Sequence, residues 1–564
     1  MNRQETLQKI AENPNVSVLI VGGGVNGIGT FRDLALQGVN VLLVEKRDFC
    51  SGASAGSSHM AHGGIRYLEN GEFRLVREAV KERNRLLDNA PHYVRPLPTV
   101  IPIFKRLSGL WNAPLKFLNL LDKPSERGAA VIKVGLMMYD AYTGVGGRVP
   151  PHKLFDRRES LRRYPQINPN VVNTARYYDG LIEAPERICM EMIGDAEAAN
   201  ADAHALNYVS VVGADQSTVR VQDEISGETL EIRPKIVINA AGPWIDFANQ
   251  AMTRPSRFIG GTKGSHIVID NPKLRDAIGD HEFFFENHDG RIVLLCPLFG
   301  KVIVGTSDLR IDNPDDAVCT DEEIDYFFSM VDKVFPQIKL KREQIVFSFS
   351  GVRPLPASDA GSTGQISRDH SIRAQEPSGT ITFPTLSLIG GKWTTFRAFS
   401  EQVTDQTLGR LGQQRKSNTK TLAIGGGKGY VEARDNLLDW TRKVENESGV
   451  SAEIISTLFN RYGTLAQPIA STMSSVAGGT TPLQNNSVYF KGEVIHAIRQ
   501  EKAMTIADFV LRRTSLAITG AVTVGLISEL ADMFAAELGW NSAEKQTAIT
   551  QTTTLLQHKH RMKL

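Results

Sequence analysis

The first residues along the chain whose spacing could do chemistry are Gly22, Gly24 and Gly27, which match the pattern Gly-x-Gly-x-x-Gly. In that pattern the first glycine permits a tight turn, the second leaves room for a phosphate, and the third lets a helix pack closely on a strand. Glu45 follows 18 residues after Gly27, where a carboxylate can accept hydrogen bonds from ribose hydroxyls. The pattern predicts a dinucleotide site at the N-terminus of a helix.

A serine- and glycine-rich segment, residues 51–64, comes next. It carries hydroxyls that could reach a phosphate, and its small residues would let the backbone approach a flat ring system. The chemistry-bearing members are Ser54, Ser57, Ser58, His62 and Gly63. A flexible loop could have the same composition, and the glycine spacing by itself does not distinguish FAD from NAD.

The elements that must position these residues form one βαβ unit. Residues 17–21 and 39–44 are apolar and β-branched, which is typical of buried parallel strands, and residues 28–37 have helical spacing. Gly38 stands where a helix commonly ends. The first forty-five residues therefore predict a Rossmann-type half-domain.

Later segments differ in character. Residues 235–239 predict another buried strand, whereas residues 266–306 contain short strand patterns separated by tight turns, as in an antiparallel sheet. After a polar linker at 413–420 the patterns are mainly helical. Helices are expected at 451–462, 491–501, 504–513 and 543–557.

The composition excludes several classes of protein. Lys plus Arg number 64 and Asp plus Glu number 62, so the chain lacks the basic excess of a general nucleic-acid binder. The four cysteines are far apart and suggest reduced thiols in the cytoplasm, with no metal site. The longest run that resembles a membrane span, the 15 uncharged residues 514–528, is too short to cross a bilayer and predicts a packed helix.

Eight motifs along the chain resemble the FAD-dependent glycerol-3-phosphate dehydrogenases and occur in that family's order. They are VGGGVNG (21–27), AHGGIRYLENGEFRLVREA (61–79), GPWI (242–245), KGSHIV (263–268), SGVRPL (350–355), ISRDH (366–370), GGKWTTFR (390–397) and DFVLRRT (508–514). The resemblance implies an α/β fold in which a discontinuous Rossmann-type FAD-binding domain carries an antiparallel-sheet substrate domain and a C-terminal helical domain. The expected division is FAD-binding at 15–105, 176–250 and 351–405, substrate domain at 106–175 and 251–350, and helical domain at 406–564.

The resemblance also implies site residues. Those expected around the substrate are Arg66, Tyr67, His266, Arg353 and Arg368. Those expected at the cofactor are Gly22, Gly24, Gly27, Glu45, Ser54, Ser57, Ser58, His62, Gly63, Gly242, Gly390, Gly391, Lys392 and Thr394. Catalysis is assigned to His62, His266, Arg353 and Lys392, and the sequence does not choose which histidine is the base.

The activity implied is oxidation of sn-glycerol 3-phosphate to dihydroxyacetone phosphate by hydride transfer from C2 to noncovalent FAD, with membrane quinone as acceptor. Such an enzyme would lie peripherally on the cytoplasmic membrane, and a homodimer is compatible with the resemblance. Three alternatives stay open: an oxidase using O2, an amino-acid or sarcosine oxidase on the same fold, and a noncatalytic membrane-associated flavoprotein.

Two features bear on these expectations. The family motif GGKLTTYR reads GGKWTTFR here, so Trp393 and Phe396 replace an aliphatic residue and a tyrosine. The segment 104–139 mixes basic residues with Leu, Trp and Phe, as a membrane-facing surface would, although packing inside the substrate domain would explain it equally well.

Overall fold

The computed structural model of the protein describes residues 3–64, 72–105, 129–143, 148–286, 292–357 and 369–564. The larger part of the segment 104–139, which was considered as a membrane-facing surface, lies outside these ranges.

The strands, in chain order, are β1 Asn15–Val21, β2 Val41–Glu45, β3 Met60–Ala61, β4 Val94–Ile103, β5 Lys153–Asp156, β6 Asn173–Ile182, β7 Ala203–Asn207, β8 Val209–Asp215, β9 Thr218–Asp223, β10 Thr229–Asn239, β11 Thr262–Ile269, β12 Glu282–Glu286, β13 Ile292–Leu298, β14 Lys301–Gly305, β15 Leu309–Arg310, β16 Ile345–Arg353, β17 Ser371–Gln375, β18 Thr385–Ile389, β19 Pro482–Leu483 and β20 Asn486–Phe490.

The α-helices are α1 Arg3–Glu12, α2 Val25–Leu36, α3 Phe73–Asn89, α4 Ala129–Thr143, α5 Arg157–Arg163, α6 Pro185–Ala199, α7 Ile245–Ala251, α8 Pro272–Ile278, α9 Asp321–Val334, α10 Phe396–Leu411, α11 Tyr430–Asp435, α12 Leu437–Ser448, α13 Ala452–Tyr462, α14 Ala466–Ser475, α15 Lys491–Gln500, α16 Ile506–Asp508, α17 Val524–Leu538 and α18 Ser542–His560. Short 3₁₀ turns occur between them, and a wide π-helical turn, Phe509–Arg513, continues α16.

A parallel sheet forms the first layer, with strand order β18–β10–β1–β2–β7. The strand β17 adds to β18 in the antiparallel sense, and β9 and β8 extend β10 as a hairpin ribbon. Helices α2, α6 and α10 pack together against the sheet. Val18, Leu19 and Ile20 of β1 are fully buried, since both faces of this sheet are covered. The predicted Rossmann-type half is confirmed.

A mostly antiparallel sheet forms the second layer, ordered β15–β11–β14–β13–β12–β4–β6–β3, with β16 also on β11 and β5 also on β6. Only the pairing of β12 with β4 is parallel within the described residues. Helix α9 covers one face of this sheet with Ile324, Phe327 and Val331. This is the antiparallel sheet expected from residues 266–306.

The C-terminal residues form a helical domain whose core is continuous with the substrate sheet. Val510, Leu526 and Phe534 from the helices share one buried cluster with Phe347 and Phe349 of β16. The helical domain therefore packs directly on the back of the strand that ends at Arg353.

Sheet membership departs from the predicted domain boundaries at four strands. The strands β3 and β4 belong to the second sheet although they lie inside 15–105, and β6 and β16 cross the expected boundaries at residues 175 and 350. The prolines of β4 concealed its strand pattern. Pro96, Pro98 and Pro102 have the same parity, so their missing N–H groups face one edge of the strand and the pairing with β6 persists.

The uncharged run 514–528 is not one packed helix, and that prediction was wrong. Thr523 caps α17, which begins at Val524, and the preceding residues form turns around Gly520, whose φ is +73°. Leu516 and Val522 are nevertheless buried. Among the helices of the described ranges, none is both long enough and apolar enough to cross a bilayer.

Candidate functional site

The turn between β1 and α2 has the geometry that its glycines predict. Gly22 has a φ of +112°, and a Cβ there would stand 2.6 Å from the carbonyl oxygen of Ala240. A Cβ on Gly27 would stand 2.0 Å from the carbonyl oxygen of Gly22. Both positions therefore exclude any side chain, and the helix starts directly against the carboxyl ends of β1 and β10.

Helix α2 presents its N-terminus as an anion site. Gly24 is the N-cap in an extended conformation and offers no capping side chain, so most of the first-turn N–H groups are not satisfied within the helix. The hydroxyl of Ser54 accepts one of them, from Val25, at 2.9 Å. A Cβ on Gly24 would meet only that hydroxyl within 4 Å, at 3.2 Å. This open cradle of N–H groups fits a pyrophosphate.

Glu45 ends β2 with its carboxylate turned to the same glycine turn. Its two oxygens accept hydrogen bonds from the backbone N–H of Gly23 at 2.7 Å and of Arg47 at 2.9 Å. Burial raises the pKa of the Glu45 carboxyl, and the N–H groups of Arg47 and Gly23 act in the opposite direction. The carboxylate is held in place beside the dinucleotide turn, as a ribose ligand must be.

The segment 390–397, although distant in the chain, packs against the glycine fingerprint, which consists of Gly22, Gly24 and Gly27. Gly390 and Gly391 have φ values of +77° and +93°. The side-chain amide of Asn26 donates to the carbonyl oxygen of Gly390 at 3.1 Å, and a Cβ on Gly391 would lie 2.4 Å from the same amide nitrogen. Lys392, which follows, is half-buried. Asn26 was missed from the sequence although it lies inside the glycine pattern.

Two further contacts of this segment bring the predicted site residues together. The indole N–H of Trp393 donates to the carbonyl oxygen of Ser54 at 2.9 Å, a bond that an aliphatic residue could not make. The hydroxyl of Thr394 donates to the carbonyl oxygen of His62 at 3.2 Å. Phe396 is buried edge-on against Trp393, with ring centroids 5.9 Å apart. The two departures from the family motif thus pack on each other.

A buried network holds the residue after His62. The backbone N–H of Gly63 donates to the carboxylate of Asp179 at 2.9 Å, and the hydroxyl of Tyr139 donates to the same oxygen at 2.6 Å. Arg83 donates to the Tyr139 hydroxyl at 2.9 Å and lies 3.7 Å from Asp179. A Cβ on Gly63 would overlap Tyr139. Sequence reasoning missed Asp179, which no motif marks.

His266 lies in the middle of β11, 1 % exposed. Its Nε2 is 2.8 Å from the hydroxyl of Ser58, and its ring stacks on Phe349 with centroids 4.8 Å apart. Burial, together with the charges of Arg353 and His59, lowers the pKa of His266 to about 3. The imidazole is therefore neutral near pH 7. Its tautomer decides whether His266 or the Ser58 hydroxyl donates the hydrogen bond between them.

Arg353 ends β16 next to β11 and is oriented by the loop that follows β14. Its guanidinium donates to the hydroxyl of Thr306 at 3.1 Å, the carbonyl oxygen of Ser307 at 3.3 Å and the carboxylate of Asp308 at 3.2 Å. A Cβ on Gly264 would stand 2.4 Å from that guanidinium, so a side chain there would displace the fork. The fork is fixed in direction and half-buried.

The remaining predicted residues are placed as follows. Gly242, with a φ of +56°, begins a 3₁₀ turn after β10, and the hydroxyl of Ser57 accepts from the N–H of His59 at 3.4 Å. Arg66, Tyr67 and Arg368 lie outside the described residues. The structure brings together in one region the glycine fingerprint, the serine-rich segment 51–64 with His62, His266, Arg353 and residues 390–394. The roles assigned to the site residues stay predictions.

Comparison with known proteins gives two family matches. A model described as FAD dependent oxidoreductase matches residues 17–381, and one described as the C-terminal domain of alpha-glycerophosphate oxidase matches residues 417–545.

Relatives and solved structures agree with these matches. A glycerol-3-phosphate dehydrogenase of Synechocystis sp. is 32% identical, covering 94% of this chain and 95% of its own. A D-erythritol 1-phosphate dehydrogenase of Brucella abortus is 31% identical, covering 90% and 95%. The glycerol-3-phosphate dehydrogenase of Bacillus halodurans, solved with FAD, has the same fold, with a TM-score of 0.76 at 23% identity over 98% of this chain and 97% of that one.

A reduced L-alpha-glycerophosphate oxidase of Mycoplasma pneumoniae with FAD bound has a TM-score of 0.53 at 18% identity, covering 72% of this chain and 98% of its own. The glycine cradle, the helix N-terminus and Glu45 fit the cofactor of these proteins. The chain belongs to the family of FAD-dependent glycerol-3-phosphate dehydrogenases, and its cofactor is FAD.

Proposed function

We propose that this protein oxidises the C2 hydroxyl of sn-glycerol 3-phosphate to dihydroxyacetone phosphate and passes the electrons to a membrane quinone. The observation that carries the proposal is the fixed guanidinium of Arg353 close to His266, in the same region as the FAD fingerprint. When bound, FAD takes up the two electrons that leave the carbinol carbon.

Arg353 is suited to hold the phosphate. A phosphate monoester is a compact dianion, and an arginine fork binds it with charge-assisted, often bidentate hydrogen bonds. Thr306, Ser307 and Asp308 hold the fork in one orientation, so little side-chain entropy remains to be lost on binding. Arg66, Tyr67 and Arg368 are proposed to complete the pocket.

His62 is the better candidate for the proton acceptor. An efficient base has a pKa near the working pH, whereas burial and Arg353 keep the pKa of His266 at about 3. His266, fixed by Ser58 and Phe349, would instead orient the substrate hydroxyl through a hydrogen bond. Lys392 would stabilise negative charge on the reduced ring.

The proposed acceptor is quinone, which places the protein peripherally on the cytoplasmic membrane. O2 is the alternative acceptor, because the C-terminal family model is named after an oxidase and an oxidase shares the fold. Peroxide formation under air, measured against reduction of a short-chain quinone, distinguishes the two.

The decisive test is anaerobic titration of the FAD-loaded protein with sn-glycerol 3-phosphate, followed by flavin absorbance. Stoichiometric bleaching is expected, and glycerol without its phosphate should bleach the flavin far more slowly. A flavin that stays oxidised in excess substrate would refute the proposal.

A longer polyol phosphate is the second candidate substrate, because the D-erythritol 1-phosphate dehydrogenase is nearly as similar as the glycerol-3-phosphate dehydrogenase. Comparing kcat/KM for the two phosphates decides between them. A higher value for erythritol 1-phosphate would reassign the substrate while leaving the chemistry at C2 unchanged.

A further inference from the structure

The motif DFVLRRT (508–514) has no role in the site described above, yet its arginines reach the FAD-binding domain. Arg513 is 1 % exposed on its side chain, and its fork donates to both oxygens of Asp48, at 2.7 Å and 2.9 Å. The Nε of Arg512 donates to Asp48 at 2.5 Å. Asp48 is thus held by two guanidinium groups from a different domain, 464 and 465 residues away.

The arginines are themselves held rigidly. The wide turn Phe509–Arg513 directs both side chains to the same carboxylate, and such turns often occur at functional positions. Arg512 also donates to Asp508 at 2.7 Å, and Arg513 donates to the carbonyl oxygen of Glu501 at 2.9 Å. Each guanidinium therefore has a second anchor inside the helical domain.

Asp48 lies in the short segment that aims the predicted ribose ligand. One residue on each side of it bonds to the cofactor site. The N–H of Arg47 donates to the Glu45 carboxylate at 2.9 Å, and the N–H of Cys50 donates to the carbonyl oxygen of Gly23, in the dinucleotide turn, at 2.8 Å. Cys50 is buried and has a φ of +58°, in the left-handed region that non-glycine residues seldom adopt, so the backbone between Asp48 and Cys50 has a specific conformation. Moving Asp48 would move both contacts.

The charge on Asp48 is maintained by its partners. Burial opposes ionisation, yet Arg513 and Arg512 together hold the pKa of the Asp48 carboxyl well below its usual range. The amide of Asn207 adds a hydrogen bond at 3.0 Å. A buried carboxylate satisfied on both oxygens is a stable anchor, whereas one that has lost a partner is not.

We propose that Arg512 and Arg513 of the C-terminal helical domain are positioning residues for FAD, acting through Asp48 on the Glu45 carboxylate and the Gly23 turn. The helical domain thereby sets the affinity for the adenosine end of the cofactor. This role is independent of the substrate and of the electron acceptor.

The test measures FAD affinity of the full chain, by quenching of flavin fluorescence on adding FAD to apoprotein. Asp48→Asn and Arg513→Gln should each raise the FAD dissociation constant about tenfold or more, which corresponds to 1.4 kcal/mol. The double variant should be no worse than the poorer single one, because both remove the same contact. Arg513→Lys, which keeps the charge, should bind FAD more tightly than Arg513→Gln.

The matched control is Glu197→Gln. It removes the ion pair between Glu197 of α6 and Lys502 of the helical domain, whose side chains bond to each other and to the backbone of Ala205. Its FAD affinity should stay within about twofold of wild type. At saturating FAD, the Asp48 and Arg513 variants should regain the wild-type rate of flavin reduction, since the substrate pocket is unchanged.

Wild-type FAD affinity in Asp48→Asn and Arg513→Gln would overturn the proposal. An equal loss of FAD affinity in Glu197→Gln would also overturn it, because it would indicate a general loosening of the domain interface. If Arg513→Gln yields no folded protein, Asp48→Asn measured against Glu197→Gln decides in the same way. The increase in melting temperature on adding FAD gives a second readout, which should shrink in the Asp48 variant but not in the control.

Discussion

Replacing Asp179 by asparagine should disable the protein by releasing His62 rather than by removing a group that touches substrate. The carboxylate accepts from the Gly63 N–H at 2.9 Å and from Tyr139 at 2.6 Å, and it lies 3.7 Å from Arg83. Asparagine keeps the shape but removes the negative charge that balances a guanidinium with no exposed surface.

The expected effect has two parts. Removing one partner of a buried ion pair costs about 3–5 kcal/mol of stability. The neutral amide oxygen also accepts more weakly than the carboxylate, so the bonds from Gly63 and Tyr139 weaken and His62 can shift. A displacement of about 1 Å at a reacting group can lower a rate about a hundredfold. The rate of flavin reduction should therefore fall by one to two orders of magnitude in protein that is still folded and FAD-loaded.

The assay is stopped-flow reduction of bound FAD by glycerol 3-phosphate, beside thermal unfolding of the same samples. The double variant Asp179→Leu with Arg83→Met removes both charges, so it should regain stability without regaining the rate. A double variant with the wild-type rate, or Asp179→Asn with an unchanged rate, would show that the network does not position His62.

Three further results are expected. Gly27→Ala should abolish FAD binding, because the added methyl would stand 2.0 Å from the carbonyl oxygen of Gly22; apoprotein that still binds FAD would contradict this. Arg353→Lys should raise KM for glycerol 3-phosphate about tenfold to a hundredfold, because the lysine loses the fork, with a smaller effect on the rate at saturation; an unchanged KM would remove Arg353 from the phosphate site. Acid should destabilise the protein between pH 6.5 and about 4, because burial lowers the pKa of His560 to about 4 and the unfolded chain then binds more protons than the folded one. His560→Asn should reduce the fall in melting temperature between pH 7 and pH 5, and an identical fall would contradict the assignment to His560.

The parts of the site that local sequence could predict are those that depend on neighbouring residues. The glycine turn needs a positive φ at Gly22. The spacing of apolar residues around it predicts the strand–helix–strand unit that contains the turn. The family motifs extended that prediction to His62, His266 and Arg353. The helices predicted at 451–462, 491–501, 504–513 and 543–557 also followed from periodicity, whereas Leu437–Ser448 and Ala466–Ser475 were not predicted and turns interrupt the run before Val524.

Motif and periodicity arguments did not reveal the partners of these residues. His266 meets Ser58 across 208 positions, Gly63 meets Asp179 across 116, and Arg513 meets Asp48 across 465. The pattern of β4 was likewise hidden by its prolines, whose missing N–H groups all face the same edge of the strand.

The sequence by itself determined the cofactor turn and the two kinds of sheet, and it supplied the residue types proposed for phosphate binding, because each depends on local backbone preference or side-chain chemistry. Only the tertiary structure decided which carboxylate anchors which arginine, and that His266 is too deeply buried to take up a proton readily. These properties depend on burial and on contacts between distant segments, which arise when the two sheets and the helical domain pack together.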